Sequence, residues 1–232
     1  FMPMHSLCAK GSLPFFVIVT FLIAATLPPS FALAQVSGTV GQPLGRIYVS
    51  ASPDSYDALL DIDPFTPFDF YVLTEIDYAE IGRPDVNEEG GILGWEAFVL
   101  VPPEITVLTT QLYPLNAVNF GDQDNWLVGL TDVFAAWEAP LPLVRYQAMA
   151  LESPAPVDLV VDLGPAVPTS FPSTPAPGWY EGLSIGECTL PDGTLWKCLR
   201  LFANVRGMRI NCVSDCTVVT EGANWGSLKS RY

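Results

Sequence analysis

Acidic side chains are the groups in this chain most able to do chemistry by type and spacing. Asp122-Gln123-Asp124-Asn125 alternates oxygen donors as calcium loops do, and calcium prefers carboxylate and carbonyl oxygens. The stretch lacks the central Gly and terminal Glu of an EF-hand loop, so Asp122 and Asp124 read either as a minimal calcium site or as a solvated turn. Asp54, Asp57, Asp61 and Asp63 form a second acidic run, broken by prolines, with the same two readings. Asp85, Glu88 and Glu89 read as an exposed loop. Glycoside hydrolysis needs two carboxyl groups about 5–10 Å apart across a cleft. With 25 Asp and Glu in the chain, composition alone singles out no such pair.

Histidine bounds the chemistry more sharply. The one histidine, His5, lies upstream of an apolar run at 13–34, LPFFVIVTFLIAATLPPSFALA. Lys10 precedes that run and Ala32-Leu33-Ala34 closes it, giving the basic, apolar and small-x-small parts of a secretory signal. The apolar core is shorter than the roughly 20 residues of a spanning helix, and Pro28-Pro29 breaks it. The rival readings are an uncleaved membrane anchor and a buried helix. Residues 1–34 are therefore expected to be a signal peptide helix, with the mature protein beginning at Gln35, outside the cytoplasm: extracellular, cell-surface or periplasmic. That protein would hold no histidine, which removes Ser-His-Asp and Cys-His catalysis and histidine-ligated metals. No catalytic residue and no cofactor other than calcium is expected.

Cysteine count points the same way. Cys8 leaves with the signal, and Cys188, Cys198, Cys212 and Cys216 remain, an even number suited to two disulfides in an oxidising compartment. Three connectivities are open. Cys188 and Cys198 flank Pro191-Asp192-Gly193, a turn signal, which favours a cross-strand bridge there and a short Cys212–Cys216 loop. The gap between Cys188 and Cys198 does not suit a four-thiolate zinc site.

Lys10 is the only charge before Gln35, so nine basic residues face 25 acidic ones in the remainder. Nucleic acid and anionic membrane surfaces would repel such a chain. Trp126, Trp137, Trp179, Trp196 and Trp225 either stack on sugar rings or pack in a core, aromatics carrying large buried area.

The elements that must position these groups are short strands. Strand-like runs fall at 46–50, 68–76, 93–101, 105–109, 117–120, 126–130, 144–151 and 157–163, separated by Gly, Pro, Asn and Asp. Proline keeps to the junctions, where it removes no ladder hydrogen bond. DVFAAWE at 132–138 is the best short helix, with Asp132 as its N-cap. This pattern predicts an all-β antiparallel sandwich in a single domain over 36–210, with a C-terminal tail at 211–232. The segment 165–177, PAVPTSFPSTPAP, reads as a Pro-rich crossover between strands or as a linker; too little chain follows it for a second core.

Gly94-Trp95-Glu96-Ala97-Phe98-Val99-Leu100-Val101-Pro102, followed by Ile105-Thr106-Val107-Leu108, resembles the cohesin-like bacterial β-sandwich modules, and by extension modules that bind carbohydrate. Val118-Asn119-Phe120, Trp126-Leu127-Val128-Gly129-Leu130 and Arg145-Tyr146-Gln147-Ala148-Met149-Ala150-Leu151 continue it in order, so that it spans 46–163. The resemblance implies a nine-stranded jelly-roll sandwich that binds a protein partner or serves as an extracellular scaffold. No cellulosome-type partner signature accompanies it. The terminal Trp225-Gly226-x-x-Lys229-x-x-Tyr232 resembles a short tail of secreted bacterial proteins. Two readings result: a secreted non-enzymatic module for protein or carbohydrate interaction, and a carboxylate-based, glycosidase-like hydrolase.

Overall fold

A computed structural model of the chain describes residues 43–77, 91–134, 140–171, 173–181, 199–213 and 216. Thirteen strands follow one another. The first six are β1 (Arg46–Ser50), β2 (Leu59–Leu60), β3 (Phe68–Glu75), β4 (Ile92–Leu100), β5 (Ile105–Leu112) and β6 (Val118–Asn119). Then come β7 (Asn125–Phe134), β8 (Leu141–Ala150), β9 (Leu159–Gly164) and β10 (Gly178–Glu181). The last three are β11 (Leu199–Leu201), β12 (Asn204–Arg206) and β13 (Met208–Ile210). No helix occurs among the described residues, and what is described is an all-β sandwich as the strand pattern predicts.

One sheet runs β12-β1-β3-β8-β5. The other is built on β4, which pairs with β7 along one side. Its other side is shared, β10 covering Ile92 to Glu96 and β9 covering Phe98 to Leu100. β6 extends the sheet beyond β7, β11 beyond β10, and β13 with β2 beyond β9. The pairing is antiparallel except at two places, where β1 lies parallel to β12 and β2 parallel to β13. The sandwich is thus mixed rather than purely antiparallel, because a jelly-roll wrap returns late strands beside early ones running the same way.

Alternation decides which side chains meet between the sheets. Phe70 and Val72 of β3 point inward, with Val144, Tyr146, Ala148 and Ala150 of β8, all fully buried. Trp95, Ala97 and Val99 of β4 and Trp126, Val128 and Leu130 of β7 answer them from the opposite sheet. An aromatic row ties the layers: Phe70 stacks on Tyr146 at 4.7 Å, Tyr146 meets Trp126 edge-on at 6.3 Å, and Trp126 stacks on Trp95 at 6.0 Å. Trp126 Nε1–H donates to the Tyr146 hydroxyl at 2.6 Å, a bond between the sheets wholly inside the core. Burial pushes the Tyr146 phenol well above its ordinary range.

Where the helix was expected to start, Asp132, Val133 and Phe134 instead continue β7, and 135–138 lie outside the described residues. A seven-residue amphipathic stretch is too short to specify its own period, and pairing with β4 at Ile92 decides for the strand. The signal segment 1–34 and the Cys188/Cys198 hairpin lie outside the described residues.

Candidate functional site

The sequence-predicted residues do not converge. Asp122 is exposed, and its carbonyl accepts the Asn119 side-chain amide at 3.0 Å. The Asp124 carbonyl accepts Val99 N–H at 2.8 Å, while its carboxyl is half-buried and burial raises its pKa. Among the described residues no group of three or more His, Cys, Asp and Glu is placed to hold a metal ion. Asp54, Asp57, Asp61 and Asp63 are all exposed, and two of them organise their own turns. Asp54 accepts the Ser52 hydroxyl and Asp57 accepts Leu59 N–H. Asp85, Glu88 and Glu89 lie outside the described residues. Cys212 and Cys216 form a disulfide with their Cα atoms 5.7 Å apart.

Of the two readings of the tryptophans, packing holds for those that are described. Trp126 and Trp179 are buried, as is Trp95, so none of the three can stack on a sugar. Trp179 spends its indole N–H on the Leu44 carbonyl at 3.1 Å. Trp137, Trp196 and Trp225 lie outside the described residues.

Among the described residues two glutamates are fully buried, and both are committed to structure. Glu181 of β10 meets Arg200 of β11, the Arg200 Nη2 lying 3.2 Å from Glu181 Oε2, with neither side chain exposed. Glu96 points outward from β4, yet residues 165–171 cross over it. Its carboxylate accepts the Thr169 hydroxyl at 2.7 Å and Ser170 N–H at 2.9 Å. Ser170 is in turn hydrogen-bonded to Tyr180 of β10 at 2.6 Å. Asn125 of β7 clamps the same segment through both amide atoms, donating to the Val167 carbonyl and accepting Val167 N–H. The Pro-rich crossover is a strap across the outward face of β4, closed over Phe171 beside Gly178. A Cβ at Gly178 would overlap the Phe171 ring, which is why glycine stands there.

Beyond the strap the outward face is open. On β6 and β7, Val118 lies opposite Gly129, and the Phe120 ring rests over that glycine, which has no Cβ to hold it off. Phe120 is 72% exposed and Val118 50%. Leu115 is 83% exposed and Val133 38%. Asn116 bonds the Thr131 hydroxyl at 2.8 Å, fixing the loop before β6 against β7. Isolated exposed apolar residues are ordinary, but several on one sheet face mark an interaction surface. Sequence reasoning placed both strands and missed this face, because alternation does not say which side a short edge strand turns to solvent.

No family model matches the chain, and no curated protein does. Solved structures similar to it include the seventh ScaB type I cohesin of Pseudobacteroides cellulosolvens, at 8% identity and TM-score 0.43, covering 76% of this chain and 96% of that one. The sixth cohesin of scaffoldin B from Acetivibrio cellulolyticus, solved in complex with a Cel5 dockerin mutant, is similar at 8% identity and TM-score 0.39, over 73% of this chain and 99% of its own. The major pilin subunit BcpA of Bacillus cereus is similar at 6% identity and TM-score 0.35, over 73% of this chain and 40% of its own.

Proposed function

We propose that this chain is a secreted, non-enzymatic β-sandwich module that binds a protein partner through the outward face of β6 and β7. The observation that carries the reading is the exposed apolar pair Val118 and Phe120 on the outward face of β6 and β7, beside the strap. A large exposed aromatic such as Phe120 is the kind of side chain that dominates interface energetics. The carboxylate hydrolase is disfavoured because the fully buried glutamates, Glu96 and Glu181, are occupied by strap and ion-pair contacts. Secretion rests on the pattern of 13–34, and the mature form then starts at Gln35, which N-terminal sequencing of exported protein checks.

The test is capture from the extracellular fraction with quantitative mass spectrometry. Phe120→Asp with Val118→Asp should lose a protein that the unmodified chain retains, while keeping its thermal midpoint, both residues being half or more exposed. An unchanged retained set refutes the face. Binding to a glycan array that survives both substitutions would favour the carbohydrate reading. Turnover of a glycan substrate would favour the hydrolase.

A further inference from the structure

The sheet edges are unequal. Among the described residues the edge strands β2 and β6 have two residues each, and β11 and β12 three each. Short edges of this kind leave little for another chain to pair with. β5 is the exception: it is eight residues long, Ile-Thr-Val-Leu-Thr-Thr-Gln-Leu, and among the described residues β8 is its sole strand partner. It contains no charge and no proline, the two devices that most often block pairing at a free edge. The rest of the protein is strongly acidic, so copies repel one another generally. The β5 strip itself adds nothing to that repulsion, since it carries no charge.

One feature of β5 resembles a guard. Its register against β8 slips between Val107 and Thr109, leaving Leu108 as an extra, bulged residue. The consequence for self-pairing is the reverse. In an antiparallel pair, opposed residues share a face. Ile105 and Val107 lie opposite the core residues Ala150 and Ala148, and so face inward. After the bulge the parity changes, and the inward residues are Thr110 and Leu112, opposite Tyr146 and Val144. Across a two-fold axis normal to the sheet, Ile105 then falls opposite the second copy's Leu112, and Val107 opposite its Thr110. These are inward residues meeting inward residues. Thr106 and Gln111, both exposed, meet on the outer face in the same register, and Leu108 meets Thr109 at the axis. Glu104 falls opposite Tyr113, so no like charges are opposed. A regular strand could not combine this register with a shared face. The bulge makes it available.

We infer that β5 is a self-association edge, taking a second copy of this chain in antiparallel pairing centred on Leu108 and Thr109, so that two five-stranded sheets become one of ten strands. Such a contact is isologous and closes at the dimer. It lies on a different sheet from the proposed β6–β7 face and does not depend on it.

Sedimentation velocity on the purified chain, from micromolar to millimolar, tests it. The expected result is a dimer that grows with concentration, with slowed amide exchange along 105–112. Thr109 is exposed, so charge is tolerated there in the monomer. Thr109→Lys alone and Thr109→Glu alone should each weaken the dimer roughly tenfold or more, since like charges then meet beside the axis. An equimolar mixture of the two should restore a heterodimer. A chain that stays monomeric throughout, or single variants that dimerise as the parent does, or a mixture that fails to associate, overturns the inference.

Discussion

Arg200→Met is the most decisive single change the fold offers. Arg200 and Glu181 are both fully buried, with Arg200 Nε 3.3 Å and Nη2 3.2 Å from Glu181 Oε2. Removing the guanidinium breaks this buried ion pair, which costs about 3–5 kcal/mol. A domain of this size has roughly 5–15 kcal/mol in all, so the variant sits near the edge of folding. At a urea slope of about 2 kcal/mol/M, the midpoint should fall by roughly 2 M. Replacing both members, as Glu181→Leu with Arg200→Met, removes both buried charges and fills the same space with apolar atoms. That double variant should return to within about 1 kcal/mol of the parent or exceed it. Equilibrium urea unfolding of the four proteins in a double-mutant cycle measures the coupling. A single-variant loss under about 1 kcal/mol, or a double variant no better than the worse single, would refute the view that this pair is a structural unit.

Tyr146→Phe keeps the ring stacked on Phe70 but leaves the buried Trp126 N–H without its acceptor, so thermal or urea unfolding should show a loss of about 1–3 kcal/mol. Burial raises the Asp162 carboxyl pKa above its ordinary value, against a weaker opposing pull from Leu163 N–H. A raised folded value means that its contribution is fully present below the unfolded pKa, near 4, and is lost as pH rises through the folded one. Asp162→Asn should therefore raise the melting temperature at pH 7 and give no gain near pH 3; a pH-independent effect would show that burial of charge is not the cause. Chelator and added calcium should both leave the melting temperature unchanged, and a calcium-dependent rise removed by Asp124→Asn would restore Asp122 and Asp124 as a metal site.

Local pattern carried most of the strand order. β1 was legible to the residue because the β-branched and aromatic run Ile47-Tyr48-Val49 is bounded by Gly45 and by Ser52-Pro53, and β3, β4 and β8 to within a few. The Pro-rich segment was legible as a break between strands because prolines forbid ladder pairing. Its fastening was not, since Glu96 and Asn125 are remote in sequence from Thr169 and Val167 and nothing local marks them. The same separation hid the two parallel pairings. The helix expected at Asp132 failed because a short amphipathic stretch takes its period from its neighbours. The open β6–β7 face escaped because Phe120 and Val118 have the composition of core residues; only the pairing with Gly129 shows that they stand outside.

The pairing of β1 with β12 has a consequence for how the molecule comes into being. Arg46 finds its partner at Asn204, and Leu44 N–H bonds the Leu201 carbonyl, so the first strand is closed by nearly the last. Contacts of such sequence separation form late, because the loop-closure entropy must be met before they give any return. The five-stranded sheet therefore stays open at β1 until residues 199–206 have emerged. A chain built this way remains unfinished through most of its synthesis, and an unfinished chain is the form in which a polypeptide is threaded across a membrane.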